Sequence, residues 1–509
     1  MRAKLIVGVV AALLALPAGA GAARAGTVAS FGAPLGVNAQ AGAELLGAGH
    51  VVSGPVFAGD QVVWAQETGG GAVVLRSVPA AGGAAPRTLT TLPRIDREQD
   101  EHGVDLQGSP TRLAYFEHQS YVPLGQDKYM EGFTFQARIA AGPPGGPFTT
   151  VAGCAVVPAC DGHPVCFDDG RYGNGVRWAL SGDALALIDH CTPEGTAARD
   201  DFRTSTLRRA DLAAGTPPAP PPAVPAGGFA LTGDLVVTAV AGGALTVRRQ
   251  ADGTSLGDLP ALPTDLRPGY GTSALGPDGT FAETISEDSR RPSRTLVWVR
   301  PGDSQVHRLP LALGGFAAPL LQVSGGRLLV RAPDGHGGVV LDVVDAATGA
   351  VTTPLRLPAG PDNRHAAADV IGATLDATGR VTWAVSRCEH TTIAAGTVAD
   401  APQTVTPAIC AGPRIVSRTL TADRRGRFTA ALVCGRACSG TLRTYVVGEF
   451  QTISTRFRLR GAARAQGVAV RLRGRALARL RRTGKASITL HVAGQDAVGS
   501  NAYILRLRR

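Results

Sequence analysis

The sequence predicts an all-β protein in which one four-stranded unit is repeated and a smaller β domain follows. Three observations predict this fold class. A stretch made of a turn and an apolar strand recurs along the chain, 66 Gly and 35 Pro supply many turns, and basic residues are concentrated towards the C-terminal end. No convincing amphipathic helix interrupts the series, which disfavours folds built from parallel strands and helices.

The recurring stretch is clearest in "TGDLVVTAV" (232–240), where a Gly-Asp turn precedes a short apolar strand. Its relatives are "AGDQVVWAQ" (58–66), "SPTRLAYFE" (109–117), "SGDALALID" (181–189), "PDGTFAETI" (277–285), "SGGRLLVRA" (324–332) and "ATGRVTWAV" (377–385). The first apolar residues after the turns are Val62, Leu113, Leu185, Val236, Phe281, Leu328 and Val381. They are separated by 51, 72, 51, 45, 47 and 53 positions. Because Asp60, Asp183 and Asp234 share one turn position, we interpret Asp234 as a turn former rather than an acid catalyst.

Each unit continues with two further strands around a second turn, as in "VVLRSVPAAGGAAPRTLT" and "VVLDVVDAATGAVTTPL". With a short strand before the first turn, as in "GPVFA" and "PLLQV", the unit becomes a four-stranded antiparallel meander of ~45 residues. One such sheet cannot bury both of its faces, whereas sheets packed around an axis can. The sequence therefore predicts a seven-bladed β-propeller, and because the copies are degenerate, six or eight blades also fit.

This order of turn, Gly-Asp or Asp-Gly, apolar strand, second strand, "AAGG" or "AATG" turn and last strand resembles the TolB-type, WD40-like β-propeller repeats of bacterial exported proteins. The resemblance covers roughly residues 45–410, and "GPDG" (276–279) is nearest to the strict form of the repeat. It implies a fold and a habit of binding ligands, and it implies no particular reaction.

The N-terminal residues 1–25 are predicted to be a signal peptide. Arg2 and Lys4 precede an apolar run from Leu5 to Leu16, and small residues with A-x-A sites follow. No later run reaches the roughly 20 apolar residues that a membrane helix needs, so we expect no integral membrane segment after cleavage. The predicted location is secreted, either extracellular or associated with the cell wall.

A change of charge predicts a domain boundary near residue 410. From Ala411 onward there are 21 basic and three acidic residues, against 30 basic and 37 acidic residues before it. Residues 26–410 are therefore predicted to be the propeller and 411–509 a small, basic β-sandwich. In its strands apolar and basic residues alternate, so that one face of each sheet is exposed to solvent. The turn at Cys434 and Cys438, the link "ALARLRRTGK" and the stretch "VAGQDAVGSNAY" resemble immunoglobulin-like or fibronectin-like modules of secreted actinobacterial proteins, which act as spacers or adhesion units.

All eight cysteines are disulfide candidates, because an exported chain meets an oxidising compartment. In the repeat frame, Cys388 ends the second strand of the last blade and Cys410 its fourth, which makes them one pair; Cys434 and Cys438 make another. For the remaining four we favour Cys154 with Cys160 and Cys166 with Cys191. The alternative is a zinc site formed by Cys160, His163, Cys166 and Cys191, with His190 nearby, although the spacing matches no standard knuckle.

Candidate catalytic motifs all have a simpler structural interpretation. "GTSLG" (253–257) has the letters of a nucleophile elbow but lies in a predicted hairpin turn with no helix after it. The acidic stretch "RIDREQDEHGVD", with Asp96, Glu98, Asp100, Glu101, His102 and Asp105, is interpreted as a solvated loop rather than a calcium or acid-base site. Asp168 and Asp169 beside Tyr172 are interpreted as a turn that could line one rim.

Six arginines lie in "RLRGRALARLRR", at positions 471, 473, 475, 479, 481 and 482. They could bind anionic envelope polymers, lipid headgroups or nucleic acid, and the absence of interleaved aromatic residues disfavours nucleic acid. The preferred interpretation of this stretch is a solvated strand face. Only three of the 51 basic residues are lysines, which we attribute to coding bias.

The leading functional hypothesis is a secreted, non-catalytic propeller that holds an unidentified protein, glycan or small molecule, with no cofactor. Anionic cell-envelope polymers are a further candidate partner, through the basic C-terminal domain. The alternative hypothesis is an extracellular hydrolase or lyase with its active site at the mouth of the propeller channel. No nucleotide-binding or zinc-protease motif occurs in the sequence.

Overall fold

The computed structural model describes residues 25–32, 51–68, 72–93, 101–121, 134–153, 178–189, 206–216, 228–239, 245–260, 273–288, 291–311, 321–359, 365–366, 369–387, 390–409, 413–417, 419–435, 437–446, 451–460, 462–493 and 500–508. Within these ranges the regular structure is almost entirely β-strand, with one α-helix near the C-terminus.

After strand β1 (Gly26–Gly32), the chain forms three successive antiparallel meanders. Sheet 1 contains β2 (Val51–Ala58), β3 (Gln61–Glu67), β4 (Val73–Pro79) and β5 (Arg87–Leu92). Sheet 2 contains β6 (Glu101–Gly108), β7 (Leu113–Tyr121), β8 (Thr134–Gly142) and β9 (Thr149–Gly153). Sheet 3 contains β10 (Trp178–Ser181), β11 (Ala184–Asp189) and β12 (Thr206–Asp211).

Three more meanders follow in the same order. Sheet 4 contains β13 (Gly228–Leu231), β14 (Leu235–Ala239), β15 (Leu245–Arg249) and β16 (Ser255–Leu259). Sheet 5 contains β17 (Ser273–Leu275), β18 (Phe281–Asp288), β19 (Arg291–Val299) and β20 (His307–Leu311). Sheet 6 contains β21 (Leu321–Ser324), β22 (Arg327–Pro333), β23 (Val339–Asp345) and β24 (Val351–Leu357).

The last sheet before the C-terminal region combines both ends of this part of the chain. Two-residue β25 (His365–Ala366) precedes sheet 7, whose consecutive strands are β26 (Asp369–Leu375), β27 (Arg380–Arg387) and β28 (His390–Thr397). Its fourth and outermost strand is β1, which pairs antiparallel with β28 from Gly26 opposite Ala395 to Gly32 opposite His390. The N-terminal strand therefore completes the sheet formed by the end of the series.

Two short strands follow sheet 7 along the chain. β29 (Gln403–Thr404) adds to sheet 6 in parallel with β24, and β30 (Ala408–Ile409) pairs with β25. The prediction that Cys410 ends the fourth strand of the last blade is therefore wrong. β1 holds that position, because a sheet that closes a ring can take its outer strand from the distant N-terminal end.

Apolar clusters join each sheet to the next in a closed series. Representative buried pairs, starting from sheets 1 and 2, are Leu75 with Leu113, Phe116 with Leu185, Ala186 with Val236, Val247 with Phe281, Trp298 with Leu328, Leu329 with Trp383 and, between sheets 7 and 1, Ile393 with Trp64. This cyclic packing of meanders is the architecture of a β-propeller.

The seven apolar positions that define the sequence repeat occupy equivalent places in the described sheets. Each lies on the second strand of its meander and is at most 2% exposed. The turn before it packs against a neighbouring sheet. Asp183 accepts a hydrogen bond from Arg112 Nε at 2.5 Å, and Asp234 pairs with Arg209 at 3.2 Å. The interpretation of these aspartates as turn residues agrees with their position.

The C-terminal region forms two sheets around one apolar core. One sheet contains β31 (Arg414–Ile415), β33 (Arg427–Cys434) and β36 (Ala462–Arg471). The other contains β32 (Leu420–Ala422), β34 (Cys438–Val446), β35 (Gln451–Leu459), β37 (Lys485–Ala493) and β38 (Ser500–Leu507). Phe428, Leu432, Leu442 and Leu490 are among the side chains buried in this core.

The segment between β36 and β37 is a helix, α1 (Gly474–Thr483), which corrects the prediction of a solvated strand face. Ala476 and Leu480, four positions apart, are buried against the core, whereas a strand would need alternate residues to be apolar. Gly484, with φ of 69°, ends the helix by donating its N–H to the carbonyl of Leu480. The tertiary core thus selects a helical period that the arginine-rich sequence obscures.

Candidate functional site

The first strands of the meanders form the inner wall of the ring. β2 contacts both β6 and β26, and further contacts join β6 to β10, β13 to β17, β17 to β21 and β21 to β26. Sheets 3 and 4 approach each other closely at Gly233. If this residue had a Cβ atom, the atom would lie only 2.5 Å from the backbone nitrogen of Ser181. This inner wall is the candidate functional site, because small-molecule sites are concave and the blades of a propeller surround a central channel.

Gln107 on β6 binds the backbone of the neighbouring first strand with both ends of its amide. Its Nε2 donates to the carbonyl of Trp178 at 2.9 Å, and its Oε1 accepts the N–H of Leu180 at 2.9 Å. The side chain therefore satisfies part of the open edge of β10. This role has no signal in the sequence, because an isolated glutamine in a strand has no distinguishing pattern.

Three further side chains connect first strands in the same way. Gln322 accepts the N–H of Leu375 at 2.7 Å, and Ser53 accepts the N–H of Leu106 at 3.1 Å. Thr374 Oγ1 donates to the carbonyl of Pro55 at 2.7 Å. Polar groups on the inner wall are thus engaged in holding adjacent sheets together.

One acidic side chain of the stretch "RIDREQDEHGVD" lies on the inner wall, that of Asp105 on the first strand β6. It is exposed on β6, and its Oδ2 accepts a hydrogen bond from the indole Nε1 of Trp178 at 3.1 Å. The prediction of a loop is wrong for Glu101, His102 and Asp105, because β6 begins at Glu101 and pairs with β7. Pairing with a buried neighbouring strand outweighs the low strand propensity of acidic residues. Asp96, Glu98 and Asp100 lie outside the described residues.

Two buried glutamates on second strands have different surroundings. Glu117 on β7 accepts a hydrogen bond from Arg138 Nε at 2.7 Å. Glu283 on β18 lies opposite Ser273 of the inner strand and is 9% exposed, and burial raises the pKa of its carboxyl group. Glu117 therefore has a cationic partner on the adjacent strand, whereas burial destabilises the charged form of Glu283.

We expect Glu283→Gln to stabilise the protein at neutral pH. Because the folded-state pKa lies above the unfolded one, ionisation of Glu283 disfavours folding, and stability is lost as the pH rises through the folded pKa. The gain should be on the order of 1 kcal/mol at pH 7 and should vanish below about pH 4, where the glutamate is protonated in both states. Thermal unfolding of parent and variant across this pH range measures it.

Glu117→Gln is the matched control, since it replaces the other buried glutamate by the same amide. At pH 7 it should destabilise by about 1 kcal/mol, because Arg138 loses its carboxylate partner. A destabilising Glu283→Gln, or a stabilisation that persists at pH 3, would contradict the role of burial at Glu283.

One predicted cysteine pair is present in the structure. Cys434 at the end of β33 is bonded to Cys438 at the start of β34. Cys154, Cys160, Cys166, Cys191, Cys388 and Cys410 lie outside the described residues, as do His163 and His190 of the alternative zinc site. Asp168, Asp169 and Tyr172 lie outside them too. In the part of the chain that is described, no group of three or more His, Cys, Asp or Glu could hold a metal ion.

The disulfide predictions for the six other cysteines have a direct test. Peptide mapping without reduction should yield linked peptides for Cys388 with Cys410, Cys154 with Cys160 and Cys166 with Cys191. Reduced mapping of the same digest is the control. Free thiols together with stoichiometric bound zinc would instead support the metal site.

The "GTSLG" stretch is a hairpin, as the sequence predicts. Gly253, with φ of 71°, lies in the turn after β15, and Ser255 begins β16. No helix follows β16 in the described residues up to 260. The strand-to-helix turn that exposes a nucleophilic serine is therefore absent at this position.

The solved structures that the comparisons find have low sequence identity to this chain and low TM-scores. The chain is 13% identical to a prolyl endopeptidase over 77% of its length, with a TM-score of 0.31, and spans only 54% of that longer chain. It is 10% identical to the WD40 β-propeller domain of Doa1, over 73% of this chain and 97% of that one, with a TM-score of 0.35. It is 13% identical to TolB from Acinetobacter baumannii, over 66% of this chain and 80% of that one, with a TM-score of 0.29.

No family model matches the sequence, and no curated protein matches it. The cyclic packing of the seven described sheets by itself places this protein in the class of β-propellers. Among the described residues, no helix is long and apolar enough to cross a membrane.

Proposed function

We propose that this protein is an exported, non-catalytic binding or scaffold protein. Its residues 26–410 form a seven-bladed propeller and 411–509 an immunoglobulin-like or fibronectin-like sandwich, after removal of residues 1–25. The cyclic order of the described sheets supports the blade number. The two sheets around one core support the sandwich.

One observation carries the non-catalytic assignment. Gln107 and Gln322, on sheets on different sides of the ring, both use their side-chain amides to bind the backbone of the next first strand. An active site needs an acid, a base or a nucleophile aimed at a common point, whereas these groups build a wall. The protein therefore presents a rigid rim and channel to a protein, glycan or small molecule, and the C-terminal domain acts as a spacer or envelope contact.

The alternative proposal is an extracellular hydrolase or lyase, and Glu283 favours it. A buried carboxyl group with a raised pKa beside the inner wall is what a general acid requires. Asp105, exposed on sheet 2, would have to act with it across the ring. This alternative makes Glu283 essential for turnover, whereas the binding proposal makes it dispensable.

A ligand screen with product analysis distinguishes the two proposals. The full mature chain is screened by thermal shift against panels of glycans, peptides and small metabolites, since a ligand that binds only the folded state raises Tm. Each hit is then recovered and analysed by mass spectrometry. The binding proposal expects unchanged hits and equal affinity for Glu283→Gln. Conversion of a hit by the parent and not by Glu283→Gln would establish the enzyme.

The export proposal is tested separately by the N-terminus of the protein recovered from culture medium. A mature chain that begins near residue 26 is expected. An uncleaved chain that stays inside the cell would overturn export without bearing on the ligand.

A further inference from the structure

The topology of the C-terminal domain brings basic residues to one end of its two sheets. Ala422 ends β32 and lies opposite Leu507 at the end of β38, and Lys485 at the start of β37 lies opposite Arg506. The turn 423–426 then leads into β33, where Arg427 lies opposite Arg471 at the end of β36. Helix α1 bridges β36 and β37 at this same end.

Twelve cationic residues are gathered there, and we call this surface the basic end. Its members are Arg424, Arg425, Arg427, Arg471, Arg473, Arg475, Arg479, Arg481, Arg482, Lys485, Arg506 and Arg508. All except the half-buried Arg479 are exposed. Contacts fix their arrangement: Arg481 Nε donates to the carbonyl of Arg424 at 3.0 Å, and the N–H of Arg508 donates to the carbonyl of Ala422 at 2.7 Å.

Neutralisation of these cations by the domain itself is slight. Asp423 is the one acidic residue among the described residues from 413 to 508. Its Oδ1 accepts the N–H groups of Arg425 and Arg427 at 2.8 and 2.9 Å, so it forms the turn. The pKa of its carboxyl group is lowered by these backbone hydrogen bonds and by the arginines beside it.

Two like-charged pairs at the basic end indicate a surface built to meet anions. Arg427 faces Arg471 across one sheet, and Lys485 faces Arg506 across the other. Side chains directly opposite on antiparallel strands lie about 5 Å apart at Cβ, and like charges there destabilise the sheet. A bound polyanion would relieve this repulsion in both sheets at once.

We propose that the basic end binds a linear anionic polysaccharide. The guanidinium groups match carboxylate and phosphate groups in a bidentate manner, and α1, ten residues or roughly 15 Å long, spans several sugar units. Segments 422–427, 471–485 and 505–508 contain no aromatic residue on which bases could stack. The apolar residues Ala476 and Leu480 of α1 are buried, so they are not available to enter a lipid surface.

The proposal deepens the envelope contact proposed for the C-terminal domain and is independent of the propeller ligand. The probe is polygalacturonate, with neutral dextran as the uncharged control, measured with the full mature chain between 50 and 300 mM salt. We expect polygalacturonate to bind, to raise Tm, and to lose affinity steeply as salt increases. The variant Arg425→Gln/Arg475→Gln/Arg482→Gln should bind at least tenfold more weakly at 50 mM salt.

The matched control removes three exposed arginines from the opposite end of the same domain. Arg456→Gln/Arg458→Gln/Arg460→Gln, on and just after β35, carries the same charge change and should bind within about twofold of the parent. Equal weakening by both triple variants would show attraction to net charge alone and would overturn the proposal. Far-UV circular dichroism and Tm verify that each variant is folded.

Three other outcomes would also overturn it. These are no binding of polygalacturonate at 50 mM salt, tighter binding to a DNA duplex of equal charge, and tighter binding to phosphatidylglycerol–phosphatidylcholine vesicles. Failure of the proposed function is separable, because a chain whose propeller ligand screen fails can still bind polygalacturonate through the basic end, and the reverse also holds.

Discussion

Deletion of residues 26–32 should cost on the order of 5 kcal/mol of stability and open the ring. β1 pairs with β28 over six register positions, and Val28 and Ala29 are buried between sheets 7 and 1. The loss combines burial of Val28, worth about 2 kcal/mol, with several backbone hydrogen bonds at about 1 kcal/mol each. Chemical denaturation should show a lower midpoint, and small-angle scattering an increased radius of gyration.

A synthetic peptide of residues 26–32 provides the control for this deletion. Added in excess, it should restore most of the lost stability by pairing with β28, whereas a scrambled peptide of equal composition should not. A deletion variant with the parental denaturation midpoint would show that β1 does not hold the ring closed.

Gly372→Ala should destabilise the protein by about 3 kcal/mol or more, because β26 and β2 touch through their backbones. A Cβ atom at position 372 would lie 1.7 Å from the carbonyl oxygen of Gly54, and one at position 108 would lie 1.9 Å from that of Phe57. Backbone atoms of two packed sheets cannot move aside as a flexible side chain can. Gly108→Ala should therefore have a similar effect at the interface of sheets 1 and 2. Equilibrium denaturation measures both.

Gly26→Ala is the matched control for both glycine variants. Gly26 also lies in a strand at the closure, but a Cβ atom there would meet nothing within 4 Å. We expect its denaturation midpoint to stay within about 0.5 kcal/mol of the parent. If all three variants were equally mild, the close approach of first strands would not be the reason for glycine at 108 and 372.

Much of the propeller could be predicted because its signal is local. Val62, Leu185 and Val381 follow their turns in the sequence, and each is fully buried on a second strand. The "GTSLG" hairpin is predictable for the same reason, since the residues directly before and after this stretch indicate two strands joined by a turn. Within the described residues, the pairing of Cys434 with Cys438 likewise needs only a short connection.

The candidate site was much less predictable. Gln107 contacts Trp178 and Leu180, which lie more than seventy positions away, and nothing in its local sequence marks it as a wall residue. The acidic residues around Asp105 predict a loop, yet pairing with β7 makes the segment a strand. The sequence predicts a strand in place of helix α1, because the two buried residues of the helix, Ala476 and Leu480, stand among many arginines.

By itself, the sequence determined the repeated β unit, its buried positions and the charge contrast at residue 411, because strand alternation, turn chemistry and composition act over a few residues. Only the tertiary structure decided that β1 completes sheet 7, that Gly372 meets Gly54, and that the cations of three separate segments gather at one end. These relations join residues up to several hundred positions apart. They arise from ring closure and sheet packing, which minimise exposed strand edges and apolar surface for the whole chain at once.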